Sequence, residues 1–356
     1  MNKKPMTDRP WTGSCPLPLN SKDKIITLAH GEGGLLSRQL IEDIILPGLG
    51  KSATSSQDDA AIIDLPQNRI HFSTDSYVVT PLFFPGGDIG YLAINGTVND
   101  LLVSGADPQW LTLSFIIEEG FSVKVLTEIL SSISCAAQQA EIKIVTGDTK
   151  VVPRGAADGL YINTTGVGIP FESLQLDPQK LQPGDQLIVT GSIGRHGIAI
   201  LSAREELGFK PPPQSDCQPL RDPVNKLLRA GVSIRAMRDA TRGGLATVLH
   251  EWAASSGKSL TIDEEKLPVA RQTQSVCELL GLDPLFSACE GTMLLAVHKE
   301  DADKAIQALR ESDVSKEATI IGEVQASKSA PVTIRRILGI EQPIDEPVGS
   351  QFPRIC

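Results

Sequence analysis

Ile142-Lys143-Ile144-Val145-Thr146-Gly147-Asp148-Thr149-Lys150 is an apolar β run that delivers a glycine, a carboxylate and an ammonium group side by side. Its β-branched residues favour a strand. Val123 to Ala140, just before it, has the apolar spacing of a helix, and Trp110 to Ile117 reads as a strand ahead of that helix. Tyr161 to Ile169 adds a further β-like run. Strands and a helix thus follow one another along this stretch.

The association of acid with strand recurs upstream. Asp58-Asp59-Ala60-Ala61-Ile62-Ile63 puts paired carboxylates at the mouth of an apolar run, and Arg69-Ile70-His71-Phe72-Ser73-Thr74 reads as a short strand ending on Asp75. Asp88 to Leu102 reads as a helix with Ile89, Leu92, Val98 and Leu101 as core contacts and Asn99-Asp100 embedded in it. A single Asp at a strand end is a turn residue. Several in one half-chain, one of them beside Gly147 and Lys150, favour phosphate–metal chemistry. Mg²⁺ takes oxygen ligands and shares its shell between one or two carboxylates, water and phosphates. Converging carboxylates repel one another unless a cation sits among them. The earlier cluster Gly31-Glu32-Gly33-Gly34 reads equally as a structural turn and as a phosphate loop.

Pro170, Pro178 and Pro183 punctuate a polar stretch that marks a boundary near residues 170–183. Beyond it, Gln186 to Thr190 reads as a strand and Gly191-Ser192-Ile193-Gly194-Arg195-His196-Gly197 as a second glycine loop before a helix over Ile198–Leu207. Asp239-Ala240-Thr241-Arg242-Gly243-Gly244 stands just before the amphipathic run Leu245 to Ala253. A helix start favours anions. A plain loop-to-helix cap also fits, and the arginine beside two glycines favours phosphate. Glu290, between Cys289 and Gly291 at the entry to the strand Thr292–Val297, reads from local sequence alone as a surface turn residue.

The 356 residues suffice for two domains with their own cores, and the net charge of −10 argues against a nucleic-acid partner bound through phosphates. No apolar run approaches a membrane span and no secretory signal is visible, so the expected location is the cytoplasm. Cys15, Cys135, Cys217, Cys277, Cys289 and Cys356 are scattered without a CxxC pair, which supports neither a zinc site nor a disulfide scaffold. Residues 1–24 read as an arm with little structure of its own, and residues 339–356 as a mobile tail carrying Phe352-Pro353-Arg354-Ile355-Cys356. Prenylation does not explain that cysteine, because it requires one four residues from the end.

Leu28-Ala29-His30-Gly31, Asp58-Asp59-Ala60-Ala61, Ser73-Thr74-Asp75, Val98-Asn99-Asp100, Gly147-Asp148-Thr149-Lys150 and Asp239-Ala240-Thr241-Arg242-Gly243-Gly244 follow one another along nearly the whole chain. In this order they resemble the superfamily of aminoimidazole ribonucleotide synthetase (PurM-like). Pro353-Arg354-Ile355-Cys356 narrows the resemblance to the HypE family of NiFe hydrogenase maturation factors. Arg195 departs from the family, which more usually has an acidic residue there.

The resemblance implies an α/β (α+β) protein of two PurM-like domains, here 25–170 and 180–338, with mixed sheets and helices packed on one face. The N-terminal domains of a homodimer would pair into a barrel, with ATP near the interface. It also implies ATP-dependent dehydration of an S-carboxamide on Cys356 to a thiocyanate, the source of cyanide ligands for the hydrogenase iron. A carbamoyltransferase of the HypF type would load the thiol, and a HypC–HypD scaffold complex would accept the cyanide. Glu290 is the candidate base, and Lys150 would support phosphate or orient the carboxamide. Gly31, Gly33, Gly34, Gly147, Thr149, Thr241, Arg242 and Gly243 are assigned to ATP. Asp58, Asp59, Asp75, Asp100, Asp148 and Asp239 are assigned to Mg²⁺. The alternatives are a small-molecule kinase or synthetase of the same superfamily (selenophosphate synthetase or thiamine-monophosphate kinase type) and a non-catalytic scaffold that presents its tail.

Overall fold

The computed structural model of the protein describes residues 25–27, 40–50 and 69–346. Gly31, Gly33, Gly34, Asp58, Asp59 and Cys356 lie outside the described residues.

The N-terminal domain contains β1 (His71–Tyr77), the hairpin β2 (Phe83–Phe84) and β3 (Gly87–Asp88), α1 (Ile89–Val103), β4 (Ala106–Glu118), α2 (Val123–Gln139), β5 (Lys143–Val152) and β6 (Leu160–Pro170). Four of the strands form a sheet in the order β1-β6-β4-β5, with β4 and β5 parallel and the other pairs antiparallel. Helix α1 starts where the Asp88 side chain, at an extended N-cap, accepts hydrogen bonds from the amides of Gly90 and Tyr91 at 2.7 and 3.1 Å. Tyr91 and Asp100 are its only partly exposed residues. A helix buried on all sides lies inside a protein rather than on it. Here α1 lies between the sheet and the second domain. Helix α2 is amphipathic and buries Leu126, Ile129, Leu130 and Ile133 in the same core as Leu111, Leu113 and Phe115 of β4.

The C-terminal domain contains β7 (Gln186–Val189), α3 (Arg195–Arg204), α4 (Arg221–Ala230), β8 (Ile234–Asp239), α5 (Gly244–Ser256), β9 (Ser259–Asp263), α6 (Arg271–Leu280), β10 (Met293–Val297), α7 (Ala302–Arg310), β11 (Thr319–Gln325), β12 (Val332–Arg335) and β13 (Glu341–Pro343). Its sheet runs β13-β12-β9-β11-β7-β10-β8, with β9 and β12 parallel. The alternation along β10 shows how this sheet is covered. Met293, Leu295 and Val297 share a core with Val224 and Leu227 of α4 and Leu309 of α7, whereas Leu294 and Ala296 pack with Leu249 and Trp252 of α5. The mixed sheets with packed helices expected from the sequence are present. The smaller sheet has its helices on one face, and the larger has α4 and α7 on one face and α5 on the other.

Several sequence boundaries move. Asp75 and Asp148 lie inside β1 and β5 rather than at strand ends. Residues 341–343 pair with β12, and Ile344 is buried and bonded to Val332, so the expected mobile tail is anchored this far and no tail begins at 339.

The domains meet along one apolar core and a polar seam. Arg221, at the start of α4, donates from Nε to the Ala140 carbonyl that ends α2 (2.7 Å) and from Nη2 to the Pro108 carbonyl (2.8 Å), and its Nη1 pairs with Asp107. Its side chain is 13% exposed, so removal leaves a carboxylate and two carbonyls short of a donor. Arg221→Ala is expected to lower unfolding stability by about 2–4 kcal/mol, read from urea denaturation. An unchanged midpoint would show that the seam holds without this clip.

Candidate active site

Four acidic side chains converge where α1 meets the second domain. Ser73, Asp75 and Tyr77 lie on the inward face of β1 by strand alternation. The Ser73 hydroxyl donates to Asp100 Oδ2 of α1 at 2.6 Å, and the Tyr77 hydroxyl reaches Asp75 Oδ2 at 3.3 Å. Asp239 ends β8, and Glu290 enters the site from the loop that feeds β10.

Their mutual effects show the convergence. Burial raises the Glu290 carboxyl well above the carboxylate range, and the charges of Asp239, Asp216, Asp75 and Asp100 push it further. Glu290 is 8% exposed, so the surface reading from local sequence is wrong for this residue. Asp100 is pushed up to about 8 by burial and then by Asp239 and Asp75, while the Ser73 hydroxyl works the other way. Asp239 is pushed up to about 6 by burial, and Arg238 opposes the shift. Burial also keeps the neighbouring thiols of Cys217 and Cys289 protonated, so neither is a nucleophile here.

The loop after Asp239 leads into α5 through Gly243, which has a φ of 75° at the N-cap, and no side chain caps the helix. Arg242 is exposed beside it and Thr241 partly so. A helix start of this kind is suited to a phosphate.

Asp148 and Lys150 stand elsewhere. Asp75 pairs with Thr164, Thr164 with Leu113, and Leu113 with Gly147, so β1 and β5 are opposite edges of the sheet. Three strand spacings separate them, about 14 Å. Asp148 and Lys150 form an exposed pair at 3.4 Å, just past a register irregularity at Val145. Gly147 is required sterically, because a Cβ there would lie 2.0 Å from the Leu113 carbonyl oxygen. Within one chain, then, Asp75, Asp100, Asp239 and Glu290 are brought together, and Gly147, Asp148, Thr149 and Lys150 are not.

Among the described residues no three His, Cys, Asp or Glu side chains form a ready metal cage. The donor set still suits a hard cation. Mg²⁺ uses few protein carboxylates and takes its remaining ligands from water and phosphate, and the raised carboxyls show that this cluster lacks positive charge. Sequence reasoning missed Asp216, which is 3% exposed and underlies Glu290. Its signal was an acid inside the proline-rich loop Ser215-Asp216-Cys217-Gln218-Pro219.

This fold and site define the class. Residues 57–170 match the family model of the AIR synthase related protein N-terminal domain, and residues 182–335 match that of the C-terminal domain. The chain is 42% identical to the carbamoyl dehydratase HypE of Azotobacter vinelandii over 95% of its own length and 99% of the relative's. A crystal structure of the hydrogenase maturation protein HypE in complex with ATP superposes with a TM-score of 0.88 at 41% identity, covering 93% of this chain and 99% of that one. A HypE–HypF complex matches with a TM-score of 0.76 at 46% identity, over 80% and 92% of the respective chains. The chain belongs to the HypE family of carbamoyl dehydratases. A thiamine-monophosphate kinase from Stenotrophomonas maltophilia, at 24% identity and a TM-score of 0.61 over 87% and 98% of the two chains, shares the fold alone.

Proposed function

We propose that this protein dehydrates an S-carboxamide carried on Cys356 to a thiocyanate at the expense of ATP, for use in hydrogenase maturation. The observation that carries the reading is the buried Glu290 facing three aspartates at the seam of a fold whose relative binds ATP. The amide oxygen attacks the γ-phosphorus and the bond to the ADP oxygen breaks. The carbon–oxygen bond then breaks with release of phosphate, and the nitrogen gives up both protons as the triple bond forms. Glu290 accepts one nitrogen proton and the departing phosphate takes the other. Asp75, Asp100 and Asp239 hold Mg²⁺, together with Asp58 and Asp59. When bound, the ion offsets phosphate charge and, by neutralising the aspartates, lowers the Glu290 pKa toward that of a working base. Thr241, Arg242 and Gly243 bind phosphate at the start of α5, and Gly31, Gly33 and Gly34 are assigned to ATP with them.

Gly147, Asp148, Thr149 and Lys150 join this set from the second protomer of a homodimer. Two four-stranded sheets would close into a barrel over their outer faces, where Phe72 and Ile116 are 65% and 42% exposed. Residues 25–170 and 180–338 are the two domains. From Ile344 the chain has 12 residues to Cys356 (356 − 344), a reach of roughly 40 Å when extended. A carbamoyltransferase like the HypF of the solved complex loads Cys356, and a HypC–HypD type scaffold takes the cyanide, all in the cytoplasm. Among the described residues no helix is long and apolar enough to cross a membrane.

The test is intact mass of the C-terminal peptide after incubation with a carbamoyltransferase, carbamoyl phosphate and MgATP. The expected result is gain of a carbamoyl group at Cys356, followed by ATP-dependent loss of one water. ATP consumption with an unmodified tail would instead indicate a small-molecule kinase.

A further inference from the structure

The main chain around Glu290 is gripped from both sides. Its amide donates to Asp216 Oδ1, and the next amide, that of Gly291, donates to Asp216 Oδ2, both at 3.1 Å. Its carbonyl accepts from Asn99 Nδ2 at 3.3 Å, and the same nitrogen reaches the Gln218 carbonyl at 3.0 Å. Asn99 Oδ1 accepts from the Leu220 amide at 2.9 Å, which fixes the orientation of the side-chain amide. The two strips of backbone lie in contact, for a Cβ at Gly291 would come 1.9 Å from the Asp216 carbonyl oxygen. Both oxygens of a buried carboxylate are thus committed to two peptide N–H groups that flank the acid of the site.

A buried carboxylate is costly unless paired and bonded. Burial pushes the Asp216 carboxyl above its ordinary value, and the Glu290 amide, the charge of Arg195 and the Thr292 hydroxyl act against that shift. The Arg195 side chain is itself oriented by the Gln214 carbonyl at 3.3 Å. This gives a role to the arginine that stood out in the second glycine loop. An acidic residue at that place could not offset Asp216.

We propose that Asp216, with Asn99 opposite, is a positioning residue that holds Glu290 at the reacting group. The proposal rests on Glu290 being the base. Asn99 immediately precedes Asp100 on α1, so one turn of helix carries both an acid of the phosphate–metal cluster and the grip on the base.

The test is a double-mutant cycle on single-turnover conversion of the carbamoylated protein, read by mass. Asp216→Asn keeps the shape but places an amide NH₂ against a backbone N–H. It is expected to slow water loss by about 10–100-fold with KM for ATP within about twofold, because the phosphate contacts lie elsewhere. On a Glu290→Gln background the same change is expected to add nothing, since the group it positions is already disabled. Equal slowing on both backgrounds, or a wild-type rate for Asp216→Asn beside a slow Glu290→Gln, overturns the proposal alone. A wild-type rate for Glu290→Gln overturns the base assignment and the proposal with it. Should Asp216→Asn not fold, Asn99→Asp enters the same cycle, because it releases the Glu290 carbonyl instead. Failure of both to melt cooperatively assigns the pair to folding and overturns the positioning role.

Discussion

Glu290→Gln is expected to slow thiocyanate formation by about 10²–10⁴-fold while Cys356 is still carbamoylated and ATP still binds. Glutamine keeps the shape and cannot take a proton. It also removes one negative charge from a cluster in which burial and four carboxylates already hold the Glu290 carboxyl high. Losing that charge weakens the pull on a cation, so the rates are compared at saturating Mg²⁺, where a lost rate cannot be assigned to lost metal. On the proposed route carbamoylation is the work of another enzyme acting on the tail, so the carbamoylated peptide should accumulate and lose water only slowly in the mass measurement. Removing a group that acts only in the transition state lowers kcat and kcat/KM together. A raised KM for ATP with normal kcat would mean that Glu290 serves binding, and the base would have to be sought elsewhere in the seam.

Motif order along the chain was enough to place the fold, and less so the site. Asp100 and Asp239 were readable because each sits beside a strong local signal: a helix buried on every side in one case, a glycine turn into an amphipathic helix in the other. Asp75 and Asp148 looked equivalent in sequence, both acids next to β runs. Sheet order separates them, and strand order is a non-local property that spacing does not encode. Gly147 beside Asp148 and Lys150 suggested phosphate–metal chemistry, whereas its immediate demand is the approach of β5 to the Leu113 carbonyl. Strand β8 (IRAMRD) escaped notice because arginines interrupt its apolar pattern, and α6 because it buries only Thr273, Val276 and Cys277. Asp216 was hidden by its prolines. Its importance arises from contacts 74 and 75 residues away along the chain, which no local window contains.

The same crowding of carboxylates predicts an unusual pH dependence of stability. Asp100 titrates at about 8 in the folded protein against 3.8 for the free group, and Asp239 at about 6, burial being the first cause for both. A folded-state pKa above the unfolded one means that the folded state holds the proton more tightly. The stability these groups contribute is complete below about pH 4 and is lost as pH rises, through about 6 for Asp239 and about 8 for Asp100. One pKa unit corresponds to about 1.4 kcal/mol, so the loss is on the order of a few kcal/mol. Without divalent cations, the melting temperature is expected to fall as pH rises from about 4 to about 8. Mg²⁺ with ATP reverses the sign of the effect, because a cation needs deprotonated ligands. Its stabilisation should therefore grow over the same interval, with proton release on binding in a calorimeter. Asp100→Asn separates this from general alkaline weakening, since it removes both the charge and its repulsion of Asp239 and Glu290. That variant should melt above the wild type at pH 9 without Mg²⁺ and gain less from the ion. A wild-type melting temperature that stays flat from about pH 4 to about pH 8, or an Asp100→Asn variant that keeps the full Mg²⁺ response, would show that the four acids are not held as one charged cluster. The placement of Mg²⁺ among them would then fall as well.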